Sequence, residues 1–325
     1  MQKAETNKSK NIQDKILSFL KSLPPLTWVV LGLFILFGII SNEFYALDNL
    51  VNMVRRGSTL WILATMATML LISGGLDLSL GAVLTFSGVI LAIMLREGFS
   101  PLVASLAAIL SGTIIGAING LLVSMLEIPA FIVTLGTMNV FAGLSVAASE
   151  TAAIFIDNYT MKFIGAGAIA GSPVPVWISI IIFALSYVIF HHTSFGRYLV
   201  AIGENKAGAH LSGVNTRLYT FLVFVYASSM AAIAGLVLAS RIQSADPRVG
   251  VGWEFDAVAA SIMGGTLRGS GKNGVTNTIV GVLLIIILRN GLNIVGVPVE
   301  WRSAIVGLSL LVGIIFDISV RRREN

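Results

Sequence analysis

Long apolar runs separated by short polar breaks set the pattern of this chain. The runs cover Leu26 to Ile40, Thr59 to Ser73, Leu80 to Leu95, Leu102 to Val123, Phe131 to Ala148, Val174 to Phe190 and Leu218 to Ala239, with two more from about Val275 to Leu288 and Ser303 to Val320. A bilayer core about 30 Å thick needs roughly 20 apolar residues per helix, so each of these runs predicts a membrane-crossing helix. The stretch from Asp256 to Gly274 is short and glycine-rich, which predicts a broken or re-entrant helix buried in protein or lining a cavity. The expectation is an all-α integral membrane protein of about ten transmembrane helices in a single transmembrane domain over residues 25–320. Tails at 1–24 and 321–325 flank it. Residues 43–57 read as an amphipathic interfacial segment, 149–173 as a mixed external loop, and Ser240 to Trp253 as a second external segment. No small-x-small cleavage pattern follows Ile40, which favours an uncleaved first span over a signal peptide.

Composition agrees with this pattern and excludes an ordinary soluble domain: of 325 residues, 56% are hydrophobic and 11% charged. Mean hydropathy is +0.90. The 33 glycines suit close helix approach in lipid, where helices associate through backbone proximity. The chain has no cysteine, so it has no disulfide and no thiolate metal site. Its net charge of +5 is scattered over tails and loops and forms no basic stripe, so no nucleic-acid partner is expected. Lys3, Lys8, Lys10, Lys15 and Lys21 precede the first run and Arg321, Arg322 and Arg323 follow the last, which predicts both termini on the cytoplasmic side. Arg55 and Arg56 run against that rule if the 43–57 segment lies outside.

Polar residues inside the apolar pattern are the candidate functional groups. Gly74 and Gly75 break the chain in ISGGLDLSLGAV, where Asp77 or Ser79 can cap the next helix. Asp77 is equally a candidate for a cavity-facing role, because ionisable groups within a membrane domain are costly. Gly112, Gly116 and Gly120 recur at four-residue spacing and predict a face pressed against a neighbouring helix. Asn119 adjoins that face as an interhelical hydrogen-bond donor or a substrate ligand. After Pro129, the polar side of the fifth run carries Thr134, Thr137 and Asn139, which suit a pore lining, although threonine also bonds back to its own helix. Ala227, Ala231, Gly235 and Ala239 repeat the small-residue spacing further on.

Some alternatives fail on chemistry. GSGKN at Gly269 to Asn273 lacks the first glycine of a phosphate-binding loop, where Thr266 stands, and lacks the magnesium-holding hydroxyl that Asn273 replaces. His191, His192 and His210 have no acidic or thiol companions in the sequence, so no metal site is expected. No nucleophile and base stand together, and the chain does not read as an enzyme.

The polar stretch Thr193 to Arg217 lies between two apolar runs and is where the protein could be gripped from the water. With it, the ordered blocks ISGGLDLSLGAV, GAINGLL, IPAFIVTLGTM, FGRYLVAIGENKAGAHLSGV and DPRVGVGWEFDAVAASIMGGTLRGSGKNG, from residue 72 to about 274, resemble the permease subunits of bacterial ABC importers for simple sugars, the ribose and xylose class. The resemblance implies a multi-pass protein of the bacterial cytoplasmic membrane. Its implied partners are a second, identical or homologous permease, a cytoplasmic ATPase subunit that binds the ATP and magnesium, and an external sugar-binding protein. No cofactor is expected on this chain. The resemblance also implies that the loop at 193–217 carries the helix that couples to the ATPase, at Glu204 to Gly213. Glu204, Asn205, Lys206, His210 and Ser212 would make polar contacts there, and Ala207, Ala209 and Leu211 would pack. Two departures from the family stand out: Phe255 between Glu254 and Asp256 where leucine is usual, and Leu267 and Ser270 where a small polar residue and a second glycine are usual, with Arg268 adding a charge.

The implied mechanism is alternating access, with a small neutral sugar moving through a cavity that Asn119, Phe131, Thr134, Thr137 and Asn139 could line. Pentoses, hexoses, polyols and a furanose signalling molecule all fit the class. An ion-gradient-driven secondary transporter would instead use Asp77 and Asp256, the deep acids of the sequence. A structural membrane anchor is disfavoured by the polar groups of the fifth run.

Overall fold

The computed structural model describes residues 25–265, 274–298, 300–301 and 304–308. The described residues are mostly helical. In chain order come α1 (Pro25–Ile40), a 3-10 turn (Asn42–Tyr45), α2 (Leu47–Ile72), α3 (Leu80–Arg96), α4 (Pro101–Ser124) and α5 (Ala130–Ala148). Then follow α6 (Tyr159–Ala166), α7 (Val174–His192), α8 (Ser194–Leu211), α9 (Thr216–Ile242), α10 (Trp253–Met263) and α11 (Gly274–Ile294). Among the described residues, α4, α5, α7, α9 and α11 are each long and apolar enough to cross a bilayer, and α1 and α3 are shorter apolar helices. The protein is therefore a helical, multi-pass membrane protein.

Small residues decide which helices can meet. Helix α9 packs on α4, α3 and α2, with Ala227, Ala231, Ala234 and Gly235 fully or nearly fully buried. Along α4 the glycines face it in antiparallel order. A Cβ on Gly112 would lie 2.8 Å from Ser228 O, one on Gly116 2.6 Å from Phe224 O, and one on Gly120 2.8 Å from Phe221 O. One helical repeat further along, α9 meets α3 the same way, because a Cβ on Gly235 would strike the backbone of Leu84. Backbones this close leave no room for any side chain, and the approach itself supplies the van der Waals contact that holds helices together in lipid.

A second group joins α2, α10 and α11. The Oγ1 of Thr68 on α2 lies 2.8 Å from Ser261 Oγ on α10 and 2.6 Å from Thr278 Oγ1 on α11, so one buried hydroxyl cluster ties three helices. Gly281 of α11 backs onto the Ala260 carbonyl, and Ile286 covers Gly57 of α2. Short β pairs fasten the ends: β1 (Ile154–Phe155) pairs antiparallel with β4 (Ser244–Ala245), and β2 (Ala168–Ile169) with β3 (Ser172–Pro173).

Several sequence boundaries are corrected. Residues 43–57 are no separate interfacial segment: after the 3-10 turn they run straight into α2. The reason is packing, since Leu50, Met53 and Gly57 share a face that lies on the α1 and α11 core. The loop at 149–173 carries α6, begun by Asn158, whose Oδ1 accepts from Thr160 N at 3.0 Å. Helix α10 starts at Trp253, ahead of the expected Asp256, and ends at Gly264. Helix α11 reaches Ile294, past the expected Leu288. The GSGKN stretch, Leu267, Arg268, both tails and most of the run from Ser303 to Val320 lie outside the described residues.

The glycine seam yields a prediction. Gly116→Leu must force α4 from α9 and should lower stability by about 1–3 kcal/mol or more. Gly32→Leu, where a Cβ would meet nothing within 4 Å, should leave the unfolding midpoint of the purified protein near wild type.

Candidate functional site

The turn between α2 and α3 is a hub. Helix α2 ends in a Schellman motif: Gly75 N donates to Leu70 O at 2.9 Å and Gly74 N to Leu71 O at 3.0 Å, with Gly74 at φ +78°. That positive φ is why glycine stands there. Asp77, 2% exposed, then accepts from Ser79 N at 2.7 Å and Ser79 Oγ at 2.6 Å through one oxygen. Of the two candidate caps, Asp77 bonds the backbone ahead of α3, while Ser79 makes no capping bond of its own.

Neighbouring helices close on this turn. Asn119 of α4 is fully buried and donates to Ser79 Oγ at 2.9 Å, which is the interhelical donor role read from sequence. Thr134 of α5 is fully buried, bonding Ala130 O of its own helix at 2.8 Å and Leu76 O at 3.3 Å. The second oxygen of Asp77 and the Asn119 carbonyl oxygen are buried without a hydrogen-bond partner. On the remaining side stands α8, where a Cβ on Gly203 would collide with Ile72 O and lie 3.2 Å from Gly74 N. One short turn therefore touches α4, α5 and α8.

Helix α8 follows α7 after Thr193 alone and is bent at Asn205, whose φ of −157° is extended. Asn205 Oδ1 accepts from Gly208 N at 2.9 Å and so starts a second helical segment. This segment coincides with the expected Glu204 to Gly213 element. Glu204, Asn205, Lys206, Ala207, His210, Ser212 and Gly213 are exposed, Ala209 is buried, and Leu211 is 88% exposed. Arg217 and Glu127 form an exposed ion pair at 3.2 Å beside it.

The fifth run presents a different face from the one its threonines suggest. Thr137 bonds back to Val133 O at 3.1 Å, and Asn139, exposed, donates to Leu135 O at 2.8 Å. Phe131, also exposed, shares the outward side with Gly136, Asn139 and Gly143, and a Cβ on either glycine would meet nothing within 4 Å. Thr134 and Asn139 thus point to opposite surroundings, one into the hub and one away from the chain. Asp256, on α10, is paired: Arg289 Nη2 lies 2.6 Å from its Oδ2. Sequence reasoning missed Arg289 as its partner, because a pair 33 residues apart has no local spacing signal. Among the described residues no group of His, Cys, Asp or Glu could hold a metal ion.

The described helices form a multi-pass membrane bundle joined along a small-residue seam, with the exposed end of the bent helix α8 at one end. The family model described as the branched-chain amino acid transport system / permease component matches residues 49–314, and the chain belongs to that family. Curated relatives include the ribose import permease of Haemophilus influenzae, 36% identical over 88% of this chain and 91% of that protein. The ribose import permease of Bacillus subtilis is 35% identical over 88% and 91%, and the D-allose permease of Escherichia coli 31% over 90% of each. The resemblance read from the ordered motifs is thereby established. A solved structure described as an inward-facing metal-chelate type ABC transporter shares the fold at a TM-score of 0.55 and 16% identity, covering 90% of this chain and 99% of that one. The chain is the permease and not the ATPase, and it resides in the cytoplasmic membrane.

Truncating the hub acid tests its structural weight. Asp77→Ala leaves the Ser79 amide and hydroxyl buried without their acceptor and should cost about 1–3 kcal/mol. Asp77→Asn, which keeps an acceptor oxygen, should lower the thermal midpoint less.

Proposed function

We propose that the chain is the membrane subunit of an ATP-driven importer, moving a monosaccharide or related polyol handed over by an extracytoplasmic binding protein. A separate cytoplasmic ATPase binds ATP and magnesium and drives it, and a second permease subunit completes the path. The observation that carries this reading is α8. Leu211, 88% exposed on this bent helix among the exposed Glu204, Lys206 and His210, supplies the mix of an apolar centre and a polar rim that a docking surface uses. Because Gly203 is seated on the α2–α3 turn, movement of α8 reaches α5 through Leu76 and Thr134.

The second permease is supported by α5. Asn139 in the middle of an apolar helix is costly against lipid, and the small residues Gly136 and Gly143 beside it suit close approach of another helix. A path along α5 between two copies gives Asn139 and Thr137 a watered surface to line. Hydrogen-bonding groups with the Phe131 ring suit a neutral sugar, and the names of the relatives, ribose and allose permeases, point to the same substrate class. The ion-driven alternative draws no support from Asp256, which is already paired with Arg289.

Leu211→Asp tests docking. It should reduce co-purification of the ATPase at least tenfold, as expected for an apolar anchor at an interface, while the isolated permease keeps its unfolding midpoint. Uptake in cells should stop on ATP depletion and survive a proton and sodium ionophore; loss of uptake with the ionophore at constant ATP would instead favour the ion-driven reading.

A further inference from the structure

At the end of the bundle remote from α8, a cavity of about 270 Å³ opens between α2, α9, α10 and α11. Arg56 on its wall precedes Ile72 by sixteen residues, about 24 Å along α2 at 1.5 Å per residue. Arg56, Arg241, Arg289, Asp256, Asn290 and Trp253 line it, against an apolar side that includes Leu60 and Ile286.

The charges in this cavity do not balance. Asp256 is taken by Arg289 at 2.6 Å. Among the described residues neither Arg56 nor Arg241 has a carboxylate within ion-pair distance. Arg241 lies close enough to Arg55 and Arg56 to feel both charges, and the Nε atoms of Arg241 and Arg55 are buried without a hydrogen-bond partner. Among the described residues, three guanidinium groups face one carboxylate, an excess of two positive charges beside an apolar wall. Arg56 is open to water, but Arg241 is half-buried with its Nε unpartnered, and a partly desolvated cation beside other cations is unfavourable without a counter-charge.

A neutral sugar could accept hydrogen bonds from these groups but would leave the charge standing. An oxyanion does both: its oxygens take paired N–H donors from planar guanidinium forks, and its charge offsets the excess. We propose that this cavity binds a phosphate-type oxyanion, supplied by a lipid headgroup or by a free phosphate, with Arg56 and Arg241 as its ligands. The apolar wall leaves room for carbon attached to the phosphate. The site is separate from the proposed coupling surface and does not depend on which solute is carried.

The test uses the full-length chain purified in an uncharged detergent, with thermal unfolding followed under two comparisons. One sets sodium phosphate against sodium chloride at matched ionic strength. The other sets mixed micelles containing phosphatidylglycerol against phosphatidylcholine. The wild-type midpoint should rise by about 2–4 °C with the anion. Arg241→Gln and Arg56→Gln should each lose most of that rise, and Arg96→Gln, which removes an exposed cation elsewhere, should keep it. Because Arg56 is exposed, its variant folds even if Arg241→Gln does not. A rise with inorganic phosphate as well as lipid assigns the site to the free oxyanion, and a rise with phosphatidylglycerol alone assigns it to the headgroup. An unchanged wild-type midpoint under every condition, or the same rise in Arg56→Gln and Arg241→Gln as in wild type, would overturn the proposal.

Discussion

Direct backbone contact between α9 and its neighbours α4 and α3 is the constraint on which the rest of this structure depends. Inside a bilayer no water is released when two helices meet, so association has to come from close packing and from polar groups satisfied across the interface. Gly112, Gly116 and Gly120 let the carbonyls of Phe221, Phe224 and Ser228 on α9 approach α4, and Gly235 of α9 lets Leu84 of α3 approach. Positions of α2 and α3 follow, and with them the turn that joins them.

That turn shows how a structural solution and a mechanical one share the same residues. Its left-handed Gly74 and the Asp77–Ser79 hydrogen bonds satisfy backbone groups at a helix break, where irregular backbone is tolerated only when enclosed by protein. The enclosure consists of Asn119, Thr134 and Gly203, which belong to the packing helix α4, the exposed helix α5 and the amphipathic helix α8. A rigid connection of this kind is what a subunit driven from outside its own chain requires.

Helix α8 and α5 are both incomplete as they stand. The first exposes Leu211, and the second exposes Asn139, bonded to Leu135 O, amid apolar residues, and the proposed partners would cover both. The two faces are distinct: one lies beside the exposed Arg217–Glu127 pair, the other along the length of an apolar helix.

Apolar run length, small-residue spacing and the order of the motif blocks determined the membrane class, the approximate helix positions, the α4 seam and the permease family, because these are properties of consecutive residues and helical period. The amphipathic segment after Thr193 was legible for the same reason. What the tertiary structure decided was everything that depends on residues distant in sequence. It extended α2 through residues expected at the interface, because Met53 and Gly57 found a core to pack on. It tied Asp77 to Ser79, the N-cap residue, and left α3 without a side-chain cap, turned Thr134 into the hub while Asn139 faced outward, and joined Asp256 to Arg289. Arg56 and Arg241 read as isolated charges along the chain. Only the packing of α2 against α9 brings them to one cavity, since Coulomb interactions depend on distance through space and carry no imprint in sequence spacing.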